Sequence, residues 1–159
     1  MPVAAEWGAE YVLVHMPSLM LPGTPYQGEA DTWEMARRSG RELEEISVQY
    51  GVPIVVENVG PNPHFHTGQH YRQFLAEFPS LRFCLDIGHL LLLHTRTGID
   101  QLAFAEVTAR LTASVHVYSA RPAEYRQYHH IPAHPSFRPE EGWADIPALL
   151  CAVQAGNPD

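Results

Sequence analysis

Four apolar segments of this sequence each end on a side chain that can bind a metal ion. The end residues are His15, Glu57, Asp86 and His116. Carboxylate oxygens and imidazole nitrogens are common ligands of divalent cations in proteins. If the four segments are neighbouring parallel strands, their ends meet at one edge of the sheet. The pattern therefore predicts a divalent metal centre, which can polarise a carbonyl group or activate a bound water.

The stretch 81–89, Leu-Arg-Phe-Cys-Leu-Asp-Ile-Gly-His, carries the clearest of these signals. An apolar run bounded by Pro79 and Gly88 is typical of a buried strand in a parallel sheet. Asp86 stands where this strand stops, and His89 follows three residues later, so both can face one point. An alternative is that Asp86 is only a helix cap with His89 as its neighbour. The four-strand pattern favours metal or substrate binding.

The remaining segments alternate between strand and helix patterns. We predict strands at 11–15, 54–58, 81–86 and 113–118, and helices at 29–50, 67–78, 99–111 and 143–154. A short helical turn is expected at 90–94, and loops at 18–28, 59–63 and 121–141. This alternation predicts an α/β fold with parallel strands and right-handed crossovers, in a single domain over residues 1–159.

Composition narrows the class of protein. A chain of 159 residues is long enough for one domain with its own core. The formal net charge of −8 disfavours a general nucleic-acid surface, and the apolar run at 90–93 is too short to span a bilayer. Cys84 and Cys151 lie in apolar contexts, so we expect buried free thiols and no nucleophile. The start lacks a signal-peptide pattern, and we expect a cytoplasmic protein without membrane contact.

The sequence resembles the xylose isomerase-like barrel superfamily, which contains sugar phosphate isomerases and epimerases and the endonuclease IV group of abasic-site nucleases. The motifs that carry the resemblance are Val14-His15-Met16-Pro17, Val56-Glu57-Asn58, Cys84-Leu-Asp86-Ile-Gly-His89, Val115-His116-Val117, a His-Ile-Pro segment and Glu141-Gly-Trp-Ala-Asp-Ile146. The resemblance implies a (β/α)8 TIM barrel. About four consecutive βα units are present, matching roughly strands four to seven of that barrel.

The epimerase branch of the superfamily implies a role for each matching residue. Glu57 would bind the metal and act as one acid/base, and Asp86 and His116 would be further metal ligands. His89 would contact the substrate, and it is predicted to be catalytic together with Glu57. Arg121 would also contact the substrate. The implied cofactor is a divalent ion (Mn, Mg, Co or Zn), and the implied substrate is a small carbohydrate.

The nuclease branch implies a different use of the histidines. His15 and His89 would be metal ligands there, and His130 would be the histidine of an Asp-x-His pair. Tyr128 stands at the aspartate position of that pair, which with the net charge of −8 argues against a nuclease site. In the epimerase interpretation His15 and His130 are expected to contact the substrate. His15 taken alone also fits a strand-end histidine bonded to a loop carbonyl.

The clearest departure from the superfamily is length. The full barrel has eight strands, and its last strand brings a glutamate that serves as metal ligand and second acid/base. No glutamate follows Gln154 in this sequence. Three explanations stay open: a fragment of a longer product, a chain that pairs with itself or with a partner, or a decayed gene. The rival to an enzyme is a non-catalytic half-barrel that binds a partner or ligand. By itself, the chain is expected to be weak or inactive in epimerisation.

Overall fold

A single parallel sheet organises the described part of the molecule. The computed structural model describes residues 1–16, 28–59 and 62–157. Within them, the strands are β1 (Val12–His15), β2 (Ile54–Glu57), β3 (Leu81–Asp86) and β4 (Thr112–His116), hydrogen-bonded in that order and all parallel. Spatial order equals chain order, as in consecutive units of a TIM barrel. The predicted α/β fold with four parallel strands of a partial barrel is confirmed.

Helices follow the strands along the chain. They are α1 (Pro2–Glu6), α2 (Glu29–Tyr50), α3 (Gly68–Glu77), α4 (Ile87–Thr97), α5 (Gln101–Thr108), α6 (Pro122–Tyr128) and α7 (Ile146–Gly156), with 3-10 turns at Ala109–Leu111 and Pro139–Glu141. Helix α2 has the predicted bounds and ends at Gly51, which takes the left-handed conformation common after helices. None of the helices in the described ranges combines the length and apolar character needed to cross a bilayer.

Helix α4 is longer than the short turn predicted at 90–94. It begins directly after Asp86, whose carboxylate accepts a hydrogen bond from the backbone N–H of His89 at 2.7 Å. This contact is an N-cap, which satisfies one of the unpaired N–H groups of the first turn. The helix continues to Gly98, which has a φ of 73°. Asp86 is therefore a helix cap, and its second carboxylate oxygen takes no part in that contact.

The segment predicted as a loop at 121–141 is also more ordered than expected. Pro122 occupies the first turn of α6, where the missing N–H of proline is tolerated. Two backbone hydrogen bonds close the excursion that contains α6, from Ser119 N–H to Ile131 C=O at 2.7 Å and from Ile131 N–H to Ser119 C=O at 2.9 Å. This bridge places Ile131, and His130 directly before it, beside the end of β4.

Two further boundaries differ from the prediction, at α7 and at β4. Helix α7 begins three residues later than expected, because Asp145 caps it by accepting from the Ala148 N–H at 3.1 Å. Pro147 then falls in the first turn, where it is compatible with a helix. Strand β4 ends at His116, two residues before the predicted end. The predicted loop at 18–28 lies outside the described residues except for Gly28. In the loop predicted at 59–63, Gly60 and Pro61 also lie outside them.

The core lies between the sheet and the helices α2, α3, α4, α5 and α7. Its largest members are fully buried aromatic and aliphatic side chains: Tyr71, Phe74, Phe83, Leu85, Leu90, Leu93 and Leu149. Cys84 is buried within β3 as predicted, but Cys151 is exposed on α7, so the prediction for that residue is wrong. An apolar sequence context does not fix which side of a helix faces the core.

Candidate metal centre

Strand register brings the predicted end residues to one edge of the sheet. His15 is the partner of Glu57 across β1 and β2, and Asp86 is the partner of His116 across β3 and β4. Glu57 is paired with Cys84 on β3, and Asp86 lies two residues further on, so both point to the same face. One ligand atom each from Glu57, Asp86 and His116 lies within 4.8 Å of the others. We call these three residues the carboxylate–histidine cluster.

Glu57 is the centre of the cluster. Its side chain is only 2% exposed, and His116 Nδ1 lies 3.2 Å from Glu57 Oε1 and 3.5 Å from Asp86 Oδ2. On the other side, His15 Nε2 lies 3.1 Å from Glu57 Oε2, although the His15 side chain is 64% exposed. A buried glutamate is thus held between two histidines, one of which is open to solvent.

His89 reaches the same cluster from the first turn of α4. Its Nδ1 lies 3.0 Å from the backbone carbonyl oxygen of Asn58, 3.5 Å from Glu57 Oε1 and 3.6 Å from Asp86 Oδ1. All three neighbours accept hydrogen bonds, so Nδ1 carries a proton. In the neutral ring the lone pair is then on Nε2. Nε2 is therefore an acceptor in the neutral ring and a donor in the imidazolium. Burial acts to lower the pKa of His89, but the contacts with Glu57 and Asp86 outweigh it, so that pKa is raised.

Asn58 fixes the end of β3, and sequence reasoning did not single it out. Its side-chain amide donates to the Asp86 carbonyl at 3.0 Å and accepts from the Asp86 N–H at 2.7 Å. These bonds replace the peptide group that β2 would contribute if it continued beside β3. Asn58 is fully buried, and its own carbonyl accepts from His89. One residue thus orients both Asp86 and His89. Its place directly after Glu57 was the available signal.

The two buried carboxylates have opposite pKa shifts. Burial and the neighbouring Glu57 raise the pKa of Asp86 to about 7. Burial also acts to raise the pKa of Glu57, but contacts with His89 and Asp86 and the charge of His116 outweigh it, so that pKa is lowered. In the absence of a cation, Glu57 is therefore the ionised member at neutral pH and Asp86 retains a proton over part of that range.

A divalent cation fits this arrangement. Among the described residues, Asp86 Oδ2 is a buried oxygen without a hydrogen-bond partner, and buried Glu57 Oε2 has His15 Nε2 beside it at 3.1 Å but no hydrogen bond of normal geometry. Buried carboxylate oxygens are normally satisfied, because leaving them unpaired is costly. Two such atoms beside an imidazole form a mixed oxygen and nitrogen donor set suited to Mn, Mg, Co or Zn. Glu57, Asp86 and His116 are the residues that would hold the ion.

The remaining predicted residues lie around the cluster or beside it. The ring of His130 is 6.1 Å from that of His89 and 4.1 Å from that of Tyr118. The Arg121 guanidinium binds the Glu124 carboxylate and lies 4.2 Å from the centre of the Trp143 ring. The structure thus brings His130 next to the cluster, whereas Arg121 is engaged by α6 and by Trp143.

Cys84 lies below the cluster on β3. Burial, followed by the charge of Glu57, raises the pKa of its thiol to about 12. The thiol is therefore protonated at neutral pH and lacks the thiolate that nucleophilic or metal-binding chemistry requires. Its geometry agrees with the predicted packing role.

Comparison with solved structures gives the same fold. The 3-keto-D-glucoside 4-epimerase YcjR from E. coli matches with a TM-score of 0.65 and 18% identity over 96% of this chain and 55% of its own. A xylose isomerase domain protein from Planctomyces limnophilus matches with a TM-score of 0.65 and 16% identity, over 97% of this chain and 51% of its own. A D-tagatose 3-epimerase-like protein matches with a TM-score of 0.53 and 21% identity, over 74% of this chain and 44% of its own. The chain thus spans about half the length of these structures.

Sequence comparison assigns the family. No curated protein matches the chain significantly. The family model described as Xylose isomerase-like TIM barrel matches residues 1–157, which is nearly the entire sequence. This agrees with the parallel sheet and with the motifs at the strand ends. The chain therefore belongs to the xylose isomerase-like TIM barrel family.

Proposed function

We propose that this chain carries one part of the active site of a divalent-metal-dependent sugar isomerase or epimerase. The convergence of Glu57, Asp86 and His116 from three adjacent strand ends carries the proposal. The buried Asp86 Oδ2, which has no hydrogen-bond partner among the described residues, is difficult to explain in a purely structural role. Two of the structural relatives are named as a sugar epimerase and an epimerase-like protein, which agrees with this class of reaction.

The reaction class is proton transfer at a carbon next to a carbonyl group. When bound, the metal ion supplies positive charge that stabilises the negative oxygen formed by loss of that proton. Glu57 is the candidate base, because it is buried, ionised at neutral pH and held in position by histidines on either side. The proton moves from the substrate carbon to a Glu57 oxygen and returns to the same carbon or to its neighbour.

The histidines around Glu57 have a second task. His89 Nε2 would accept a hydrogen bond from a substrate hydroxyl, since Nδ1 is held by the Asn58 carbonyl. His15 and His130 have exposed rings at the border of the cluster and would contact outlying hydroxyl groups. Arg121 remains the predicted contact for a more distant part of the substrate. Each of these contacts orients the sugar and leaves proton removal to Glu57.

Inversion at a carbon requires a second acid/base on the opposite face of the substrate. The solved relatives are about twice as long as this chain, so that group would come from further sequence or from a partner chain, including a second copy. With Glu57 alone, a proton can leave and return on the same face. The chain should therefore exchange a substrate hydrogen with solvent much faster than it inverts the carbon.

Deuterium exchange tests this proposal directly. The chain, loaded in turn with Mn, Co, Mg and Zn, is incubated in heavy water with a panel of D-ketohexoses, and deuterium next to the carbonyl is measured by NMR. We expect incorporation that Glu57→Gln abolishes. Glu77→Gln is the matched control, because Glu77 pairs with Arg37 on the surface and should have no effect. Absence of exchange with all four metals would favour the non-catalytic half-barrel instead.

A further inference from the structure

Tyr118 lies beside the cluster and has a hydroxyl without a partner. It follows His116 by two residues, just beyond the end of β4, and its side chain is 8% exposed. Among the described residues, its hydroxyl is buried and makes no hydrogen bond. Buried tyrosine hydroxyls normally find a partner, because an unpaired one loses its contacts with water. The unpaired O–H is therefore a feature that the fold alone does not explain.

Neighbouring residues hold the Tyr118 ring in one place. The ring packs directly against Gly88 in the first turn of α4, and a Cβ at that position would overlap its carbon atoms. The His130 ring lies 4.1 Å away on one side, and the His89 ring lies 6.0 Å away at 88°. The backbone bridge between Ser119 and Ile131 keeps His130 in that position. The ring is thus wedged between α4 and the chain that follows α6.

The hydroxyl is directed toward the cluster. Burial raises the pKa of Tyr118, and so do the charge of Asp86 and a side-chain hydrogen-bonding interaction with it, because the phenol faces that carboxylate. Asp86 Oδ2 is itself buried and without a hydrogen-bond partner in the same region. The phenol O–H and the Asp86 carboxylate thus face one another without a hydrogen bond of normal geometry between them, and a cation held by Asp86 would occupy that acceptor. An oxygen of a bound molecule would satisfy the donor.

We infer that Tyr118 is a substrate-positioning residue, whose phenolic O–H donates a hydrogen bond to an oxygen of the sugar bound at the carboxylate–histidine cluster. This inference rests on the proposed function and adds a contact to it. Tyr118 acts as a fixed donor, since the packing of Gly88 and His130 leaves its ring little freedom to turn away. It is expected to act on binding of the sugar and not on binding of the metal.

The test compares Tyr118→Phe with the unmodified chain in the deuterium-exchange reaction. Removing one hydrogen bond to substrate should raise KM for the exchanging ketohexose by about three- to tenfold, with kcat changed less. The affinity for Mn²⁺, measured by calorimetry without sugar, should be unchanged. An unchanged KM would overturn the inference, and so would an equal loss of Mn²⁺ affinity, which would make Tyr118 a support for Asp86.

Thermal unfolding of the same variant gives an independent readout. Because the hydroxyl makes no hydrogen bond of normal geometry within the described part of the protein, Tyr118→Phe should leave the Tm nearly unchanged. Tyr71→Phe is the matched control, since the buried Tyr71 hydroxyl bonds to the Val59 backbone and its loss should lower the Tm. A Tm loss in Tyr118→Phe equal to that of Tyr71→Phe would show a structural role. If the unmodified chain exchanges no hydrogen, both the proposed function and this inference are refuted. If it exchanges hydrogen but Tyr118→Phe has an unchanged KM, only this inference is refuted.

Discussion

Replacing Asn58 by alanine should destabilise the chain more than any ordinary loss of a polar surface contact. The substitution leaves the Asp86 N–H and C=O without the partners they have at 2.7 Å and 3.0 Å, in a fully buried place. Each buried backbone group left unpaired costs about 1–3 kcal/mol. We therefore expect a loss of roughly 2–6 kcal/mol in the free energy of unfolding. At about 2–4 °C per kcal/mol for a chain of this size, the Tm should fall by roughly 4–24 °C.

The control for this change is Asn157→Ala. Asn157 also donates from its side chain to a strand carbonyl, that of Thr112 at 2.8 Å, but it makes one such bond and is only half-buried. Its loss should cost about 1 kcal/mol. Urea unfolding followed by far-ultraviolet circular dichroism measures both variants. Hydrogen exchange of the Asp86 amide, which should become fast only in Asn58→Ala, locates the effect at the strand end.

The result that would refute this reasoning is a loss in Asn58→Ala no larger than that in Asn157→Ala. Such a result would mean that the Asp86 backbone groups find other partners, so the amide of Asn58 would not be what holds the end of β3. The inferred orientation of Asp86 and His89 toward Glu57 would then lose its structural basis.

Two other predictions concern titration and thiol reactivity. Asp86 has a pKa of about 7 in the folded metal-free chain. Above pH 4 the folded state therefore holds a proton on Asp86 that the unfolded state has released. The free energy of unfolding should accordingly fall by on the order of 2–4 kcal/mol as pH rises from 4 to 7. Urea unfolding across this range measures it; Asp86→Asn should flatten the profile, and an unchanged slope would contradict the assignment. Cys151 should react with a thiol reagent at neutral pH in the native chain while Cys84 reacts only on unfolding, because Cys151 is exposed and Cys84 is buried. Counting modified thiols by mass spectrometry checks this, and modification of both at equal rates would contradict the packing of β3.

The strands were the most predictable part of the fold. Runs such as Ile54-Val-Val before Glu57 are apolar and β-branched, and the change to a polar residue marks where the strand ends. Helix α2 was predicted with its observed bounds because Gly51 supplies a clear stop signal. These are local signals, and here local preference and tertiary structure agree.

Helix α4 shows where local reasoning was insufficient. Gly88 suggested a break after β3, but it lies inside the first turn of the helix. Its missing Cβ makes room for the Tyr118 ring, which is 30 residues away in sequence. The reason for this glycine is therefore a tertiary contact, and a single sequence does not reveal it.

The site was predictable to the extent that topology determines it. Parallel strands in chain order necessarily bring Glu57, Asp86 and His116 to one edge, and the structure has them there. The contribution of Asn58 depends on a side chain that imitates a peptide group, and its place directly after Glu57 is the one sequence signal of it. The engagement of Arg121 by Glu124 and Trp143 likewise depends on how α6 packs. The functional roles of all these residues remain predictions.

The measurement that tests the central claim most directly is an anomalous difference map from crystals of the chain grown with zinc. The account predicts one ion bound by Glu57, Asp86 and His116, at about 2.0–2.2 Å from one oxygen of each carboxylate and one imidazole nitrogen. Crystals of Asp86→Asn should lose the peak or show it much weakened. An ion bound elsewhere, or the absence of an ion at this edge of the sheet with zinc in excess, would contradict the assignment of a metal centre.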